Sequence, residues 1–396
     1  MRISDVYADG KEQGGGYSLF GENGVTPKDI FQGSIGNCWF MSAISAIAEK
    51  PGRVESLFLN PTNAIEPAGI YGINMKALGV PHTILVDDQL PGEDWYGWFY
   101  PKFAEIKGDK SVWAAILEKA YAKYHGNYKH TIGGWPQKAV WDLLGGPYEE
   151  YDHLNKAGGT VVTGIEDLWT KLSTHDVNDE IMITSTWGTN HFTQADNGIA
   201  NGHAYTIIGV TDEVPGVRLV KLRNPWGSEK YKGPYCDDCK EWDSVSQDVK
   251  DSLQFASAND GVFYIPLEDY HAYFEETNII FDISDGDWSE DHYLFLNDED
   301  RKNSEYWSNK TRHEFSLTNT SDEVNKVYAQ IHTWADRSYV NSDPDCYYKW
   351  NYFQWNFPNS YNSMQNFAGI HQTIYEMQPG EVLTGVVELS WEDDQA

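Results

Sequence analysis

Four residues in three short segments carry side chains that together could perform nucleophilic chemistry. Gln32 and Cys38 frame the segment QGSIGNC, His203 lies in GHAY, and Asn224 lies in RNPWG. A thiolate is a strong nucleophile, an imidazole can take and return a proton, and an amide can hold the imidazole in one tautomer. Each residue alone usually has a structural explanation, but their joint presence indicates a thiol hydrolase with a Cys-His-Asn triad.

The elements around Cys38 would make its thiol reactive. Apolar residues recur with helical spacing after Cys38 until Pro51, which predicts a helix that begins near Cys38. A cysteine in the first turn of a helix lies near the positive end of the helix dipole, which favours the thiolate. Gln32 can reach back so that its side-chain amide and the Cys38 N–H form an oxyanion hole.

Periodicity predicts a helical part followed by a β-rich part. The predicted elements after the first helix are a strand over Thr83–Asp87, helices over Ser111–Tyr124 and around Ile165–Leu172, and strands over Ile181–Thr186, Ala204–Val210, Val217–Leu222 and Val262–Ile265. Residues 30–145 are expected to be mainly helical.

The predicted fold class is α+β, and it resembles a papain-like, two-lobed cysteine protease with its cleft between the lobes. A helical lobe over residues 1–145 would carry Cys38, and a β-rich lobe over residues 146–280 would carry His203 and Asn224. Alternating segments such as Lys326–Trp334 and Glu381–Ser390 predict a β-sandwich-like domain over residues 281–396.

The composition limits the partners. With 29 Lys and Arg against 60 Asp and Glu, the net charge is -31, which disfavours nucleic acid and anionic membranes. The N-terminus lacks the apolar core of a signal peptide, and no run approaches the roughly 18–20 apolar residues that span a bilayer. We therefore expect a cytoplasmic protein, and the predicted thiol protease would act on protein substrates. The sequence supports neither nucleic-acid binding nor membrane association, and it does not determine the oligomeric state.

Three further residues are weaker candidates for chemistry. His191 is a competing base, but it lies in a polar loop where we expect it to face solvent or substrate. Cys236 and Cys239 have the spacing of half a zinc site. No second pair exists, and four cysteines in so long a chain do not make a disulfide framework, so we expect loop cysteines without metal.

Around these residues the chain resembles the calpain family of intracellular cysteine proteases. The resemblance extends to Val86–Pro91, to Trp113–Lys123 with Gly133-Gly134 and Gly145-Gly146 after it, and to Asn259–Tyr264. It is strong over about residues 20–280 and weaker beyond them. The sequence contains no EF-hand loop, so the resemblance does not extend to a penta-EF-hand domain.

The resemblance implies a role for each site residue. Cys38 would be the nucleophile, His203 the general base and acid, Asn224 the residue that orients it, and Gln32 part of the oxyanion hole. Trp226 would be the wedge between the lobes, and Gly202 would line the substrate cleft beside it. Asn37 stands where the family usually has Asp, and we do not expect this change to abolish activity.

The resemblance also implies two calcium sites, with Ca²⁺ as an activator and no cofactor required for the chemistry itself. The first site would include Asp29, but Lys129 stands where the family has an acid. The second would include Asp237 and Asp260, with Lys230 at another acidic position and Val262 at a further one. Both sets have lost carboxylates, although Ca²⁺ prefers six to eight oxygen ligands. Our hypothesis is that a lysine ammonium pairs with Asp29 or Asp237 and reduces the calcium dependence.

Two other function classes stay open at this point. An acyl transferase or transglutaminase-type enzyme could use the same triad, although Asn224 rather than Asp favours a protease. The acidic stretch Asp285–Asp300 could instead belong to a calcium-, lipid- or protein-binding module, for which a solvated loop is the simpler explanation.

Overall fold

A computed structural model of the protein describes most of the chain. The described residues are 1–6, 16–77, 79–96, 98–107, 109–153, 162–188, 194–285, 288, 310–332, 351–355 and 370–391. Contacts divide the chain into two compact units. The first comprises Met1–Ala77 and Pro81–Trp288, and the second comprises Leu78–Val80 and Ser289–Ala396.

The first half of the first unit is built around one buried helix. Its elements are α1 (Ile3–Val6), α2 (Cys38–Ile47), α3 (Arg53–Leu57), β1 (Ile70–Ala77), β2 (Val80–Asp87), β3 (Gly92–Trp95), β4 (Trp98–Pro101), α4 (Trp113–Tyr124) and α5 (Pro136–Leu144). Every residue of α2 is buried, as expected for a helix without a charged face. β1 pairs with β2 and β3 pairs with β4, so this region is less helical than the sequence predicts.

The second half of the first unit is a six-stranded antiparallel sheet with three helices. Its elements are β5 (Tyr148–Asp152), α6 (Ile165–Val177), β6 (Ile181–Ser185), β7 (Ala204–Thr211), β8 (Leu219–Arg223), α7 (Gln247–Ser252), β9 (Val262–Pro266), α8 (Leu267–Tyr273) and β10 (Glu276–Ile280). The strand order is β5-β10-β6-β7-β8-β9. In the antiparallel pair β7–β8, Thr206 lies opposite Arg223, so the start of β7 and the end of β8 meet at one end of the sheet.

The sheet is buried on both faces because its side chains alternate between two cores. Ile181, Ile183 and Ala204 join the cluster around α2. Met182 and Tyr205 join a second cluster with α6 and α8. This alternation explains why the strands read as nearly continuous apolar runs, and it brings the start of β7 against the helix that begins at Cys38.

The second unit contains five described strands, all antiparallel. They are β11 (Lys310–Thr318), β12 (Asn325–His332), β13 (Asn351–Trp355), β14 (Ile370–Met377) and β15 (Val382–Trp391). They form one sheet of order β11-β15-β13 and another of order β12-β14, and side chains from both sheets share one apolar cluster. Two predicted segments are confirmed as β12 and β15. Most of the acidic stretch, residues 286–287 and 289–300, lies outside the described residues, as does Cys346.

The structure confirms the type of each predicted element in the first unit. Most ends agree within two residues, but α2 ends four residues before Pro51 and α6 continues five residues past Leu172. The strand predicted from Thr83 begins at Val80 and so includes Pro81. Proline is tolerated there because β2 belongs to a two-stranded sheet and needs no second partner. Among the described residues, none of the helices has the length and apolar character needed to cross a bilayer. The predicted domain boundaries stay predictions.

Candidate active site

Two hydrogen bonds tie the helix that carries Cys38 to the strand that follows His203. Ser42 Oγ donates to the Ala204 carbonyl oxygen at 2.8 Å, and Thr206 Oγ1 donates to the Ser42 carbonyl oxygen at 2.8 Å. Ser42 lies one turn after Cys38, so both side chains lie on the face of α2 that meets β7. The thiol therefore faces the start of β7.

The Cys38 thiol is buried and interacts with backbone amides. Burial raises its pKa, while the N–H groups of Ala204, Trp39 and Cys38 itself offset part of the rise. The last two groups belong to the first turn of α2, whose N–H groups have no partner within the helix. The thiolate would thus be stabilised by the helix terminus and by the residue next to His203.

His203 and Asn224 meet as the strand pairing requires. Both side chains are buried, and His203 Nε2 lies 2.9 Å from Asn224 Oδ1. The Trp226 backbone N–H donates to the same oxygen at 3.1 Å. Because a backbone N–H can only donate, this contact identifies Oδ1 as the acceptor, and Nε2 must then carry a proton. Nδ1 is left as the nitrogen whose protonation can change.

The predicted wedge and oxyanion residues lie against this pair. The Trp226 ring packs against the His203 ring with centroids 4.4 Å apart. The Gln32 backbone N–H donates to the Pro225 carbonyl oxygen at 2.8 Å, which joins the segment before Cys38 to the loop after Asn224. The Gln32 side-chain nitrogen donates to the Ile35 carbonyl oxygen at 2.7 Å and has a second hydrogen for another acceptor.

The predicted cleft residue Gly202 lies directly before His203. Its φ of +55° is in the left-handed region, which glycine adopts without a side-chain penalty. Its N–H donates to the Trp187 carbonyl oxygen at 3.0 Å, and Trp187 is exposed. The competing base His191 lies outside the described residues.

A buried carboxyl group beneath Cys38 was missed by the sequence reasoning. Glu118 on α4 accepts from Asn37 Nδ2 at 2.7 Å and from the Ala104 N–H at 2.8 Å. Asn37 is the cap residue of α2, directly before Cys38. Burial raises the pKa of Glu118 to about 7. The available signal was a glutamate that directly follows the apolar residues Trp113–Leu117 of α4.

The sequence matches the family described as "Calpain family cysteine protease" over residues 11–281. The chain belongs to the calpain family of cysteine proteases. It is 32% identical over 252 residues to "Calpain-type cysteine protease DEK1" of Arabidopsis thaliana, covering 63% of this chain and 11% of the relative. It is 31% identical over 260 residues to human "Calpain-12", covering 63% of this chain and 34% of the relative.

Mouse "Calpain-1 catalytic subunit" is 31% identical over 278 residues, covering 65% of this chain and 35% of the relative. The chain therefore spans about a third or less of the length of these calpains. The match confirms the family resemblance and the calpain protease domain with mixed α+β structure.

The first predicted calcium set of this calpain does not fit a divalent ion. Asp29 is buried and already accepts from the Thr26 N–H at 3.0 Å, from Thr26 Oγ1 at 3.3 Å and from Trp113 Nε1 at 2.9 Å. Lys129 is exposed and pairs with no carboxylate among the residues that the structure describes. The neighbouring protein donors satisfy Asp29 without a cation.

The second predicted set has a further acid beside it, Glu229, which the sequence analysis did not include. Burial and the nearby carboxylate of Glu229 raise the pKa of Asp237 to about 7, and Asp260 adds to the effect. Carboxylate oxygens are the ligands that Ca²⁺ prefers. Glu229, Asp237 and Asp260 each already accept from a backbone N–H, and among the described residues they are not a group whose ligand atoms all lie within 4.8 Å of one another. Lys230 is exposed and, within the described ranges, is not paired with Asp237.

The lysine that does reach this set is Lys28. Its Nζ lies 3.0 Å from Asp260 Oδ2. Lys28 lies in a short turn before α2, whereas Asp260 lies two residues before β9, so the ion pair joins the two halves of the first unit. Among the described residues, neither Lys129 nor Lys230 pairs with Asp29 or Asp237, so the hypothesis of such an ion pair is wrong; the ion pair that the structure shows is Lys28 with Asp260.

Cys236 and Cys239 are bonded to each other in a disulfide. Their Cα atoms are 5.0 Å apart in the tight turn that carries Asp237, which is within the range a disulfide can bridge. The sequence analysis expected loop cysteines without metal and did not predict this disulfide, because sequence spacing does not report how closely a turn brings two side chains together. Cys38 is the free cysteine of the described residues.

Proposed function

We propose that this calpain-family chain is a cysteine endopeptidase that makes limited cuts in extended segments of proteins with a Cys38-His203-Asn224 triad. The observation that carries the proposal is the hydrogen bond from His203 Nε2 to Asn224 Oδ1, with the Trp226 N–H on the same oxygen. This pair lies at the start of the strand that faces the Cys38 thiol.

The geometry supports an acyl-enzyme mechanism. Cys38 gives its proton to His203 Nδ1, and the thiolate attacks the carbonyl carbon of the scissile peptide, forming a carbon–sulfur bond. The electron pair of the carbonyl moves to its oxygen, where the Cys38 N–H and the second hydrogen of Gln32 Nε2 would stabilise the charge. His203 then donates its proton to the leaving amine as the carbon–nitrogen bond breaks.

Water completes the reaction. His203 takes a proton from water, the hydroxide attacks the thioester carbon, and the carbon–sulfur bond breaks to release the carboxylic acid and the thiol. Throughout, Asn224 holds the ring by accepting from Nε2, and the Trp226 ring covers one side of it. Exclusion of water from the imidazole–amide bond strengthens it.

Calcium would act on the arrangement of the two halves rather than on the chemistry. Bound Ca²⁺ would supply positive charge to Glu229, Asp237 and Asp260, which otherwise repel one another. Lys28 already supplies one positive charge to Asp260. We therefore propose that the chain retains activity at low calcium.

Cleavage of an unstructured protein in chelator and then in added calcium tests the proposal. Cys38→Ala and His203→Ala should abolish cleavage, and His82→Ala, at an exposed histidine on β2, should not. Activity that appears only with calcium would overturn the low-calcium proposal and leave the protease. Transfer of the acyl group to an added amine in preference to water would favour the transferase alternative.

A further inference from the structure

An exposed aromatic surface lies on the β3–β4 hairpin. The side chains of Trp95, Tyr96, Trp98 and Tyr100 are 70%, 93%, 49% and 55% exposed. Trp95 and Tyr96 stack on each other with ring centroids 6.1 Å apart. So many large rings exposed side by side are unusual on a protein surface and typically mark an interaction site. We call Trp95, Tyr96, Trp98 and Tyr100 the aromatic surface.

The strand register gathers three of these rings on one face. Trp95 lies opposite Trp98, and Glu93 lies opposite Tyr100, so these four side chains share a face of the hairpin. Phe99, on the other face, is buried and holds the hairpin to the core. The fixed face needs no rearrangement to accept a partner.

The hairpin turn also departs from local preference. Tyr96 has a φ of +55°, a left-handed conformation that turns of this kind usually give to Asn, Asp or Gly. A tyrosine there is disfavoured by its own backbone, and its ring is almost fully exposed. Residues that break a local rule without a gain in packing are frequently functional.

The base of the hairpin is bonded to the segment that carries the oxyanion glutamine. The Ser34 N–H and Ser34 Oγ both donate to the Lys102 carbonyl oxygen, at 3.0 and 2.7 Å. The Glu105 N–H donates to the Phe31 carbonyl oxygen at 2.9 Å. Trp98 is four strand residues from Lys102, or about 13 Å. An extended substrate would need about four residues to cover that distance, and up to about two more to span the two chain positions from Ser34 to Gln32.

The charges around the aromatic surface favour a basic partner. Glu93 lies on the same face and Asp94 beside it, both exposed, and the chain as a whole has a net charge of -31. The Lys102 Nζ lies 3.3 Å from Glu93 Oε1 in an exposed ion pair, so the two acids still outnumber the one cation here. The flat faces of Trp and Tyr attract guanidinium and ammonium groups, and nearby carboxylates add to that attraction. The same charges oppose binding to anionic membranes.

We propose that the aromatic surface is a docking site for an Arg- or Lys-rich segment of the substrate protein, about four to six residues from the bond that is cut. This inference rests on the proposed protease function, whose site it extends. Arginine side chains would stack on Trp95 and Trp98, and Glu93 would accept hydrogen bonds from a guanidinium group in place of its exposed ion pair with Lys102.

The first experiment measures binding without catalysis. A labelled unstructured peptide with three arginines, and the same peptide with three glutamines, are titrated into the Cys38→Ala protein, and fluorescence anisotropy is recorded. The arginine peptide should bind about tenfold more tightly, and a Trp95→Ala/Trp98→Ala change should remove the difference. Tyr273→Ala, at an exposed tyrosine on α8, is the matched control and should preserve it.

The second experiment uses the active protein and two cleavable substrates. The three arginines lie either about five or about twelve residues from the scissile bond. Both spacings are made on the N-terminal side and on the C-terminal side of that bond, and kcat and KM are measured for each substrate. The near position should lower KM about tenfold relative to the far position, with kcat unchanged. The Trp95→Ala/Trp98→Ala protein should lose this ratio.

These measurements separate the inference from the proposed function. Equal affinity for the arginine and glutamine peptides would overturn the docking site even if cleavage is normal. So would a Trp95→Ala/Trp98→Ala change that weakens the binding of both peptides by the same factor. Binding of zwitterionic lipid vesicles that depends on Trp95 and Trp98, without a preference for arginine, would overturn it in favour of a membrane contact. Absence of cleavage would overturn the protease, and the anisotropy result would still decide the docking site.

Discussion

Replacing Glu118 by glutamine should stabilise the protein at alkaline pH and leave its stability at acidic pH nearly unchanged. Glu118 is fully buried, and no lysine or arginine is near enough to contribute to its pKa shift. Two hydrogen bonds, from Asn37 Nδ2 and the Ala104 N–H, offset only part of the cost of burying its charge. Glutamine imitates the neutral, protonated acid.

The size of the effect follows from the pKa. Burial raises the pKa of Glu118 from its ordinary value of 4.5 to about 7. An acid whose pKa is raised by folding stabilises the fold fully below its unfolded pKa and loses that contribution as the pH rises through the folded pKa. The total is ~3 kcal/mol, and ~2 kcal/mol of it falls between about pH 5.5 and 8.5.

The substitution need not break the hydrogen bonds around Asn37. The Asn37 Oδ1 is buried without a hydrogen-bond partner among the described residues. If the Asn37 amide turns by half a rotation, Oδ1 accepts from the new glutamine nitrogen, and the glutamine oxygen accepts from the Ala104 N–H. The free energy of unfolding then changes mainly through the lost titration.

Urea unfolding of both proteins at a series of pH values measures the difference directly. The stability advantage of Glu118→Gln should grow by ~2 kcal/mol from about pH 5.5 to 8.5, and Glu268→Gln, at an exposed glutamate on α8, should show no such growth. A constant difference across this range, or a variant that is less stable at alkaline pH, would refute the reasoning about the buried charge.

Three further predictions concern single contacts. Asn224→Ala should lower kcat about 10- to 100-fold with little change in KM, because the His203 imidazolium loses a hydrogen-bond acceptor. A change confined to KM would contradict the orienting role of Asn224. Lys28→Met should tighten terbium binding by about two- to fivefold, because the exposed Lys28–Asp260 ion pair no longer competes with the metal ion for the Asp260 carboxylate. Sensitised luminescence measures the affinity, and an unchanged affinity would contradict this competition. Reduction should destabilise the protein by about 2 kcal/mol or less through the short Cys236–Cys239 loop, and a double serine variant should not respond to reductant in thermal unfolding.

Local pattern was enough to predict the elements that carry the catalytic candidates. The spacing of apolar residues predicts a helix after Cys38. The short apolar runs after His203 and before Asn224 have the length of strands. The strands β3 and β4 were missed because four residues are too few to define a period. The eight-residue β1 was missed because Gly72 and Asn74, which are unfavourable in strands, interrupt its apolar residues. The family resemblance added the roles of the residues, and the family match over residues 11–281 confirms the resemblance itself.

By itself, the sequence determined the membership in a protease family, the candidates Cys38, His203 and Asn224, and the acidic character of the chain. Only the tertiary structure decided which distant groups meet. Glu118 reaches Asn37 across 81 residues of chain, and Lys28 rather than Lys129 or Lys230 pairs with an acid of the second calcium set. The physical reason is that a local period reports which face of an element is apolar, whereas contacts between elements depend on how those faces pack.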